Sequence, residues 1–256
     1  MFRVLLVLTA ATAALPLVQE PRPGYTDTPV LPGMDWRVHD PDRPVPPVVE
    51  PGAGDFQQPP SDAVVLFQGT GLDAWQTSAD APTWREVDGA MGPVRGAGDL
   101  RTRESFGDCQ LHVEFRCPPE DQDQGQGRGN SGIFLMERYE IQVLDSYRNP
   151  TYPDGQAAAI YGQYPPLVNA SRPPGEWQSY DIVFRAPRFD AEGGLLEAAR
   201  VTVLHNGVAV QVDRALLGPT SHRSLPQYAA HGPAPIRLQD HGDGVLYRNV
   251  WLRRLD

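Results

Sequence analysis

From about residue 63 onward, apolar and polar residues alternate in short runs, and turn-forming residues separate these runs. Alternation with a period of two is typical of β-strands that have one buried face. Asn206-Gly207 lies between two such runs, which is the strongest short signal for a β-hairpin. The predicted strands lie within 64–67, 83–91, 109–117, 131–136, 139–145, 180–186, 200–212, 234–241 and 245–255.

Helical patterns are nearly absent from this part of the chain. Glycine (25) and proline (27) make up about a fifth of the 256 residues, which also disfavours a helical bundle. Many short strands separated by turn signals are typical of β-sandwiches. The sequence therefore predicts an all-β sandwich of two antiparallel sheets over residues 62–256.

The region before these strands differs from them in composition and in hydrophobic pattern. Residues 20–61 are rich in proline and show no periodic pattern, which predicts an irregular arm or linker. Trp36 could anchor this arm to the domain, and plain disorder is the alternative.

The first 19 residues have the pattern of a signal peptide. A short basic start is followed by an apolar run over 4–14 and by small residues at 11–13. The run is too short to span a bilayer, so no membrane insertion is expected. We expect export to the periplasm or the extracellular space, although a buried element of the fold is the alternative.

Export would place both cysteines in an oxidising compartment. Cys109 and Cys117 lie on one predicted strand, where eight residues of extended chain separate them by about 26 Å. A disulfide requires Cα atoms within about 7 Å of each other. We therefore predict that these two cysteines are not bonded to each other.

The charge balance excludes several classes of partner and mechanism. The 32 acidic residues outnumber the 22 basic ones, and the net charge of −10 argues against a nucleic-acid partner. Every basic residue is arginine, so Schiff-base and P-loop lysine chemistry are excluded. The sequence does not determine the oligomeric state.

Three predicted strands carry unusual polar side chains on the face opposite their apolar residues. If these strands are neighbours, this face is a polar cleft suited to a hydroxyl-rich ligand; otherwise it is an ordinary solvated surface. The side chains concerned are Gln110, His112, Glu114 and Arg116 on the first strand, Glu140 and Gln142 on the second, and Arg237, Gln239 and His241 on the third.

Several strings resemble, in order, the 3-keto-disaccharide hydrolase domain family, and together they cover about 62–256. The resemblance implies a concanavalin A-like jelly roll with a concave binding face. It also implies an enzyme that breaks glycosides whose sugar carries a ketone at C3. The strings include LFQGTGLDAW (66–75), WREVDGAM (84–91), NSGIFLMERYEIQVLDSY (130–147) and GPAPIRLQDHGDGVLYRNVWLRRL (232–255).

A ketone at C3 makes the neighbouring C2 proton acidic, so that a base can remove it. The resulting enolate expels the C1 substituent, and water adds in a later step. Such a site needs a base near C2, an electrophile at the C3 oxygen and a proton donor for the leaving oxygen.

Four residues are candidates for these catalytic roles. Histidine is the side-chain type most often used to move protons at neutral pH, so His241 could take or give a proton. Glu140 and Asp145 could act in catalysis or bind a metal. Arg248 could hold an enolate oxygen or form an ion pair with Glu140.

The candidate substrate-binding residues are mostly hydrogen-bonding side chains. Tyr161 could stack on a sugar ring. No cofactor is required by the sequence, but Glu140, Asp145 and His241 could together bind a divalent cation. The other candidates for contact with a small saccharide are Asn130, Ser131, Gln142, Arg237, Gln239, Glu114 and Arg116.

Two other functions compete with this interpretation. Glu140-x-Gln142-x-x-Asp145 resembles the motif of laminarinase-type glycosidases, which act on unoxidised glycans with two carboxylates about 5–5.5 Å apart. Such a pair would need a β-bulge at 143–144. The second alternative is a carbohydrate-binding module without catalytic activity.

Overall fold

The computed structural model describes residues 22–48, 58–77, 84–94, 96–119 and 123–255. The predicted signal peptide at 1–19 lies outside these ranges, so export stays a prediction. Within the described ranges, no helix has the length and the apolar composition needed to cross a membrane. The helical structure described consists of two single 3₁₀ turns, Gly125–Gly127 and Pro153–Gly155.

Fifteen strands run through the described residues, and thirteen of them form two antiparallel sheets. The large sheet contains β1 (Val64–Phe67), β3 (Trp84–Val87), β4 (Ala90–Pro93), β6 (Cys109–Arg116), β9 (Gln178–Arg185), β12 (Arg200–His205), β13 (Val208–Ala215) and β15 (Leu246–Arg254). The small sheet contains β2 (Trp75–Gln76), β5 (Leu100–Thr102), β7 (Ser131–Leu135), β8 (Tyr139–Val143) and β14 (Arg237–Leu238). The remaining strands, β10 (Arg188–Phe189) and β11 (Leu195–Glu197), form a separate hairpin.

The two sheets pack face to face and enclose the core. In the large sheet, the order is β13-β12-β9-β6-β15-β4-β3, with β1 on β15; in the small sheet it is β2-β5-β14-β7-β8. Leu111 and Val113 of β6 and Tyr139 and Ile141 of β8 are fully buried between them. The predicted all-β, jelly-roll sandwich is thus confirmed.

The Asn206-Gly207 hairpin has the backbone that the sequence predicts, and a second hairpin turn has the same form. Asn206 (φ 52°) and Gly207 (φ 81°) join β12 to β13. Asp88 (φ 50°) and Gly89 (φ 73°) join β3 to β4 in the same way. Two consecutive positive φ angles define a type I′ turn, whose twist matches that of the flanking strands.

The three polar strand faces do not form one surface, so this prediction is wrong. β6 lies in the large sheet, whereas β8 and β14 lie in the small sheet. Because each sheet turns its apolar face inward, the polar faces of β6 and β8 point away from each other, to opposite sides of the sandwich. Glu140 therefore lies on the outer face of the small sheet, away from the polar residues of β6.

Both cysteines are buried and are not bonded to each other, as predicted. Cys109 begins β6, and Cys117 lies directly after its end. The extended strand between them keeps the two thiols apart.

The described part of the N-terminal arm, 22–48, packs against the domain. Leu31, Val38 and His39 are completely buried, whereas Trp36 is only half-buried. The His39 ring nitrogen Nδ1 lies 2.9 Å from Asp154 Oδ1, and the His39 backbone N–H donates to Asp154 Oδ2 at 3.0 Å. His39, rather than the predicted Trp36, is therefore the main polar anchor of the arm.

We predict that His39→Ala lowers the free energy of unfolding by about 1–3 kcal/mol, because Asp154 loses its side-chain partner in the arm but keeps the backbone N–H of residue 39 and Arg43 Nη1 at 3.4 Å. Urea denaturation at pH 7 measures this change. Asp213→Ala, which removes an exposed ion pair with Arg200, is the control and should have no measurable effect. Equal stability of His39→Ala and the wild type would show that this contact does not hold the arm.

Candidate active site

A cavity of about 620 Å³ lies on the outer face of the small sheet. Six of the residues that line it were predicted from the sequence: Asn130, Glu140, Gln142, Tyr161, Gln239 and His241. Glu140 and Gln142 project from β8, while Gln239 and His241 follow the end of β14. Glu140 and His241 therefore line the same cavity.

Glu140 lies at the floor of this cavity and is 5% exposed. Burial raises the pKa of its carboxyl to about 8, although Arg237 opposes this shift and Asp99 reinforces it. At neutral pH the carboxyl group therefore carries a proton in most molecules.

The neighbouring strand β7 leaves room for this carboxyl group. Phe134 is the direct cross-strand partner of Glu140, and Gly132 is the partner of Gln142. A Cβ atom at Gly132 would lie 2.5 Å from Glu140 Oε1. Any larger residue at this position would displace the Glu140 carboxyl group or the Phe134 ring.

A cluster of amides lies beside Glu140. The Gln142 amide best satisfies its surroundings when its nitrogen faces Glu140 Oε1 at 3.0 Å and the Ser131 carbonyl at 3.2 Å. The side chains of Gln126 and Asn130 lie 3.1 Å and 3.2 Å from the same amide. Such a cluster can hydrogen-bond sugar hydroxyls or a carbonyl oxygen.

A chain of hydrogen-bonding rings forms another wall of the cavity. The hydroxyl group of Tyr161 lies 2.9 Å from that of Tyr152 and 3.2 Å from His222 Nδ1. Burial raises the pKa of both tyrosines, so both remain protonated. Burial, together with the charges of His39 and Arg223, lowers the pKa of His222. His222 is therefore neutral at neutral pH.

His241 lies at the rim of the cavity, with 48% of its side chain exposed. Its Nδ1 is 4.0 Å from Asp243 Oδ2. The cavity thus contains a protonated carboxyl group at its floor and two histidines nearer its opening.

Three predicted site residues lie on the other side of the sandwich. Arg248 Nε donates to Glu114 Oε2 at 2.6 Å, so it does not pair with Glu140. Burial would raise the pKa of Glu114, but hydrogen bonds from His112, Asn249 and Arg248 hold it below its ordinary value. Arg116 and Arg248 both lie over the Trp177 ring, at 4.8 Å and 4.1 Å. Glu114, Arg116 and Arg248 therefore do not line the cavity.

Three more predicted residues do not line the cavity. Asp145 lies 2.9 Å from Arg128 Nε in a buried ion pair. The Ser131 hydroxyl group lies in the core, 2.6 Å from the Tyr247 hydroxyl. Arg237 pairs with Asp99 and covers the Phe134 ring at 3.6 Å. Arg237 therefore acts on Glu140 only through its charge and through packing.

The proposed set of metal ligands is not brought together. Among the described residues, no group of three or more His, Cys, Asp and Glu side chains is placed to hold a metal ion. Glu140 and His241 line the cavity, but Asp145 is engaged by Arg128.

Several residues that line the cavity were not found from the sequence. Except for Phe134 on β7, they come from irregular segments, where no alternation shows which side chains point the same way. Tyr152 precedes a single 3₁₀ turn, and His222 lies in a long loop after β13. The others are Gly125, Gln126, Thr151, Thr220 and the arm residues Pro23, Gly24 and Tyr25.

A β-sandwich with a polar cavity on the outer face of one sheet is an architecture suited to saccharides. Residues 62–253 match the 3-keto-alpha-glucoside-1,2-lyase-like domain family. The chain belongs to this family, which confirms the resemblance seen in the sequence. No functionally curated protein shows significant similarity to the chain.

Solved structures support the same assignment. A candidate glycosyl hydrolase from Parabacteroides distasonis is 45% identical, with a TM-score of 0.77, over 83% of this chain and 93% of that one. Two further candidate glycosyl hydrolases from the same organism, at 19% and 23% identity, have TM-scores of 0.54 and 0.51. The match to the first covers 76% of this chain and 94% of the matched chain, and the match to the second covers 75% and 99%, respectively. At these identities, both matches show the fold alone. The family and the 45% identical structure support a glycoside hydrolase-like role.

We predict that Glu140→Gln changes how stability depends on pH. The pKa of Glu140 is raised in the folded state, so between about pH 4.5 and 8 the folded protein holds a proton that the unfolded chain has lost. Wild-type stability should therefore fall across this window relative to the variant, by about 1.4 kcal/mol per unit of pKa difference.

Urea denaturation at pH 5, 7 and 9 measures this effect. Glu86→Gln, on an exposed strand face, is the matched control and should follow the wild-type curve. Parallel curves for Glu140→Gln and the wild type would contradict the desolvation of Glu140.

Proposed function

We propose that the protein cleaves glycosides whose sugar carries a ketone at C3, by removing the C2 proton and eliminating the C1 substituent. The observation that carries this proposal is the buried Glu140 carboxyl group, with a pKa of about 8, in a cavity that also holds two histidines. This arrangement places a proton donor and a candidate base in the same cavity.

The residues of the cavity can be assigned to the steps of this reaction. His241 takes the C2 proton, and the electron pair of the C2–H bond forms an enolate with the C3 carbonyl. The C1–O bond then breaks as the enolate collapses to a C1=C2 double bond. Glu140 gives its proton to the leaving oxygen. Water adds across the double bond in a later step.

The enolate needs neutral hydrogen-bond donors at the C3 oxygen. The Asn130 amide and the Tyr161 hydroxyl group line the same cavity and can supply them. The Gln126 and Gln142 amides line it too, but both N–H groups of each are already bonded within the protein. The hydrogen bond between Tyr161 and the neutral His222 orients the hydroxyl group.

The positions of Glu140 and Asp145 do not support the laminarinase-like alternative. β8 pairs with β7 in regular register up to Val143, and Asp145 forms an ion pair with Arg128. Among the described residues that line the cavity, no second carboxylate joins Glu140, so this part of the chain does not supply the pair that a retaining glycosidase needs.

We predict that the purified protein releases nitrophenol from a 3-keto nitrophenyl glucoside and not from the unoxidised glucoside. Only the ketone makes the C2 proton removable. Absorbance of nitrophenolate measures the release. Cleavage of the unoxidised glucoside alone would contradict elimination, and binding of both sugars without release would favour a carbohydrate-binding module.

We further predict that Glu140→Gln slows the release of a poor leaving group, such as an alkyl alcohol, by about 10²–10⁴-fold. Release of nitrophenolate should change far less, because this leaving group needs no proton. His241→Ala should slow both substrates, since the C2 proton stays in place. An equal loss for both leaving groups in Glu140→Gln would contradict its role as proton donor.

A further inference from the structure

The N-terminal arm forms part of the cavity although it lies outside the family domain. The domain match begins at residue 62, whereas Pro23, Gly24 and Tyr25 line the cavity together with Glu140 and His241. The cavity is therefore a joint product of the domain and of a segment that the family does not define.

Specific contacts fix the position of these three residues. The Tyr25 backbone N–H donates to the His39 carbonyl oxygen at 2.8 Å. A Cβ atom on Gly24 (φ 150°) would lie 2.5 Å from the same oxygen, so only glycine permits this close approach. His39 is held by Asp154, and Arg43 donates to the Gln163 carbonyl at 3.0 Å.

The Tyr25 ring is also tied to the loop that carries His222. Arg223 lies over the ring, with Cζ 4.1 Å from its centroid, and its guanidinium group pairs with Asp27 at 3.0 Å. The ring centroids of Tyr152 and His222 lie 6.0 Å and 6.3 Å from that of Tyr25. Tyr25 is half-buried, so part of its ring remains open to the cavity.

The size of the cavity exceeds what a single reacting sugar ring requires. A volume of about 620 Å³ falls in the range of sites that enclose drug-sized ligands with more than one ring. One ring is expected at Glu140, where the reacting groups lie. The side of the cavity formed by Pro23, Gly24 and Tyr25 is then available to the group attached to C1.

We propose that Tyr25 is a specificity-determining residue that stacks on the second sugar ring of a disaccharide substrate. An aromatic ring supplies a flat apolar surface to the C–H face of a pyranose at little cost in conformational entropy. The location of the reacting ring rests on the proposed function, but the stacking of the second ring does not require cleavage.

Equilibrium binding tests this proposal without relying on activity. The probes are maltose and cellobiose, which differ in linkage, and methyl α- and β-glucoside, which have one ring each. Tyr25→Ala should weaken binding of the preferred disaccharide about tenfold and change binding of the methyl glucosides less than about twofold. Tyr25→Phe should bind like the wild type, because stacking needs the ring and not the hydroxyl group.

Tyr147→Ala is the matched control. Tyr147 is also half-buried beneath an arginine, since Arg148 lies 5.2 Å from its ring centroid, but it lines a neighbouring cavity of about 550 Å³ and not the one at Glu140. This variant should bind all probes like the wild type. Thermal unfolding of each variant confirms that the fold is retained.

The outcomes separate this proposal from the proposed function. Selective loss of disaccharide binding in Tyr25→Ala supports the role of Tyr25 even if no 3-keto glycoside is cleaved. Unchanged disaccharide binding, an equal loss for one-ring and two-ring probes, or no binding of any probe by the wild type would overturn it.

Discussion

The Glu140 carboxyl group has lost most of its hydrating water on folding, and within the described residues it forms no ion pair in exchange. Arg237, whose positive charge favours ionisation of Glu140, is paired with Asp99 and packed on Phe134. The loss of hydration therefore outweighs the attraction of Arg237, and the protonated form of Glu140 is favoured. The candidate chemistry depends on this balance, because a protonated carboxyl group can donate to a leaving oxygen at neutral pH.

The rest of the cavity follows from how the polypeptide covers the small sheet. The sheet presents one polar face, and the irregular segments that cross it bring Tyr152, Tyr161 and His222 beside Glu140. The arm closes a further side, since the buried pairing of His39 with Asp154 ties it to the domain. A cavity lined by amides, hydroxyl groups and aromatic rings is suited to a saccharide, which presents both hydroxyl groups and C–H faces.

The sequence predicted the sandwich and which face of each strand packs against the core, because both depend on local alternation and turn-forming residues. It therefore placed Glu140 and Gln142 on one face correctly. It did not predict which strands are neighbours, since strand order depends on contacts far apart in sequence. For that reason the sequence predicted Arg248 beside Glu140, although the two residues lie in different sheets. His222 was missed because an irregular loop has no period from which its direction can be predicted.

The ionisation of Glu140 is the most direct test of this account. Carbon-13 NMR of the side-chain carboxyl group, assigned by comparison with Glu140→Gln, measures it over a pH titration of the folded protein. The account predicts a midpoint near pH 8, far above that of an exposed glutamate. A midpoint at or below about 4.5 would mean that the carboxyl group is charged at neutral pH, which would contradict its role as the proton donor.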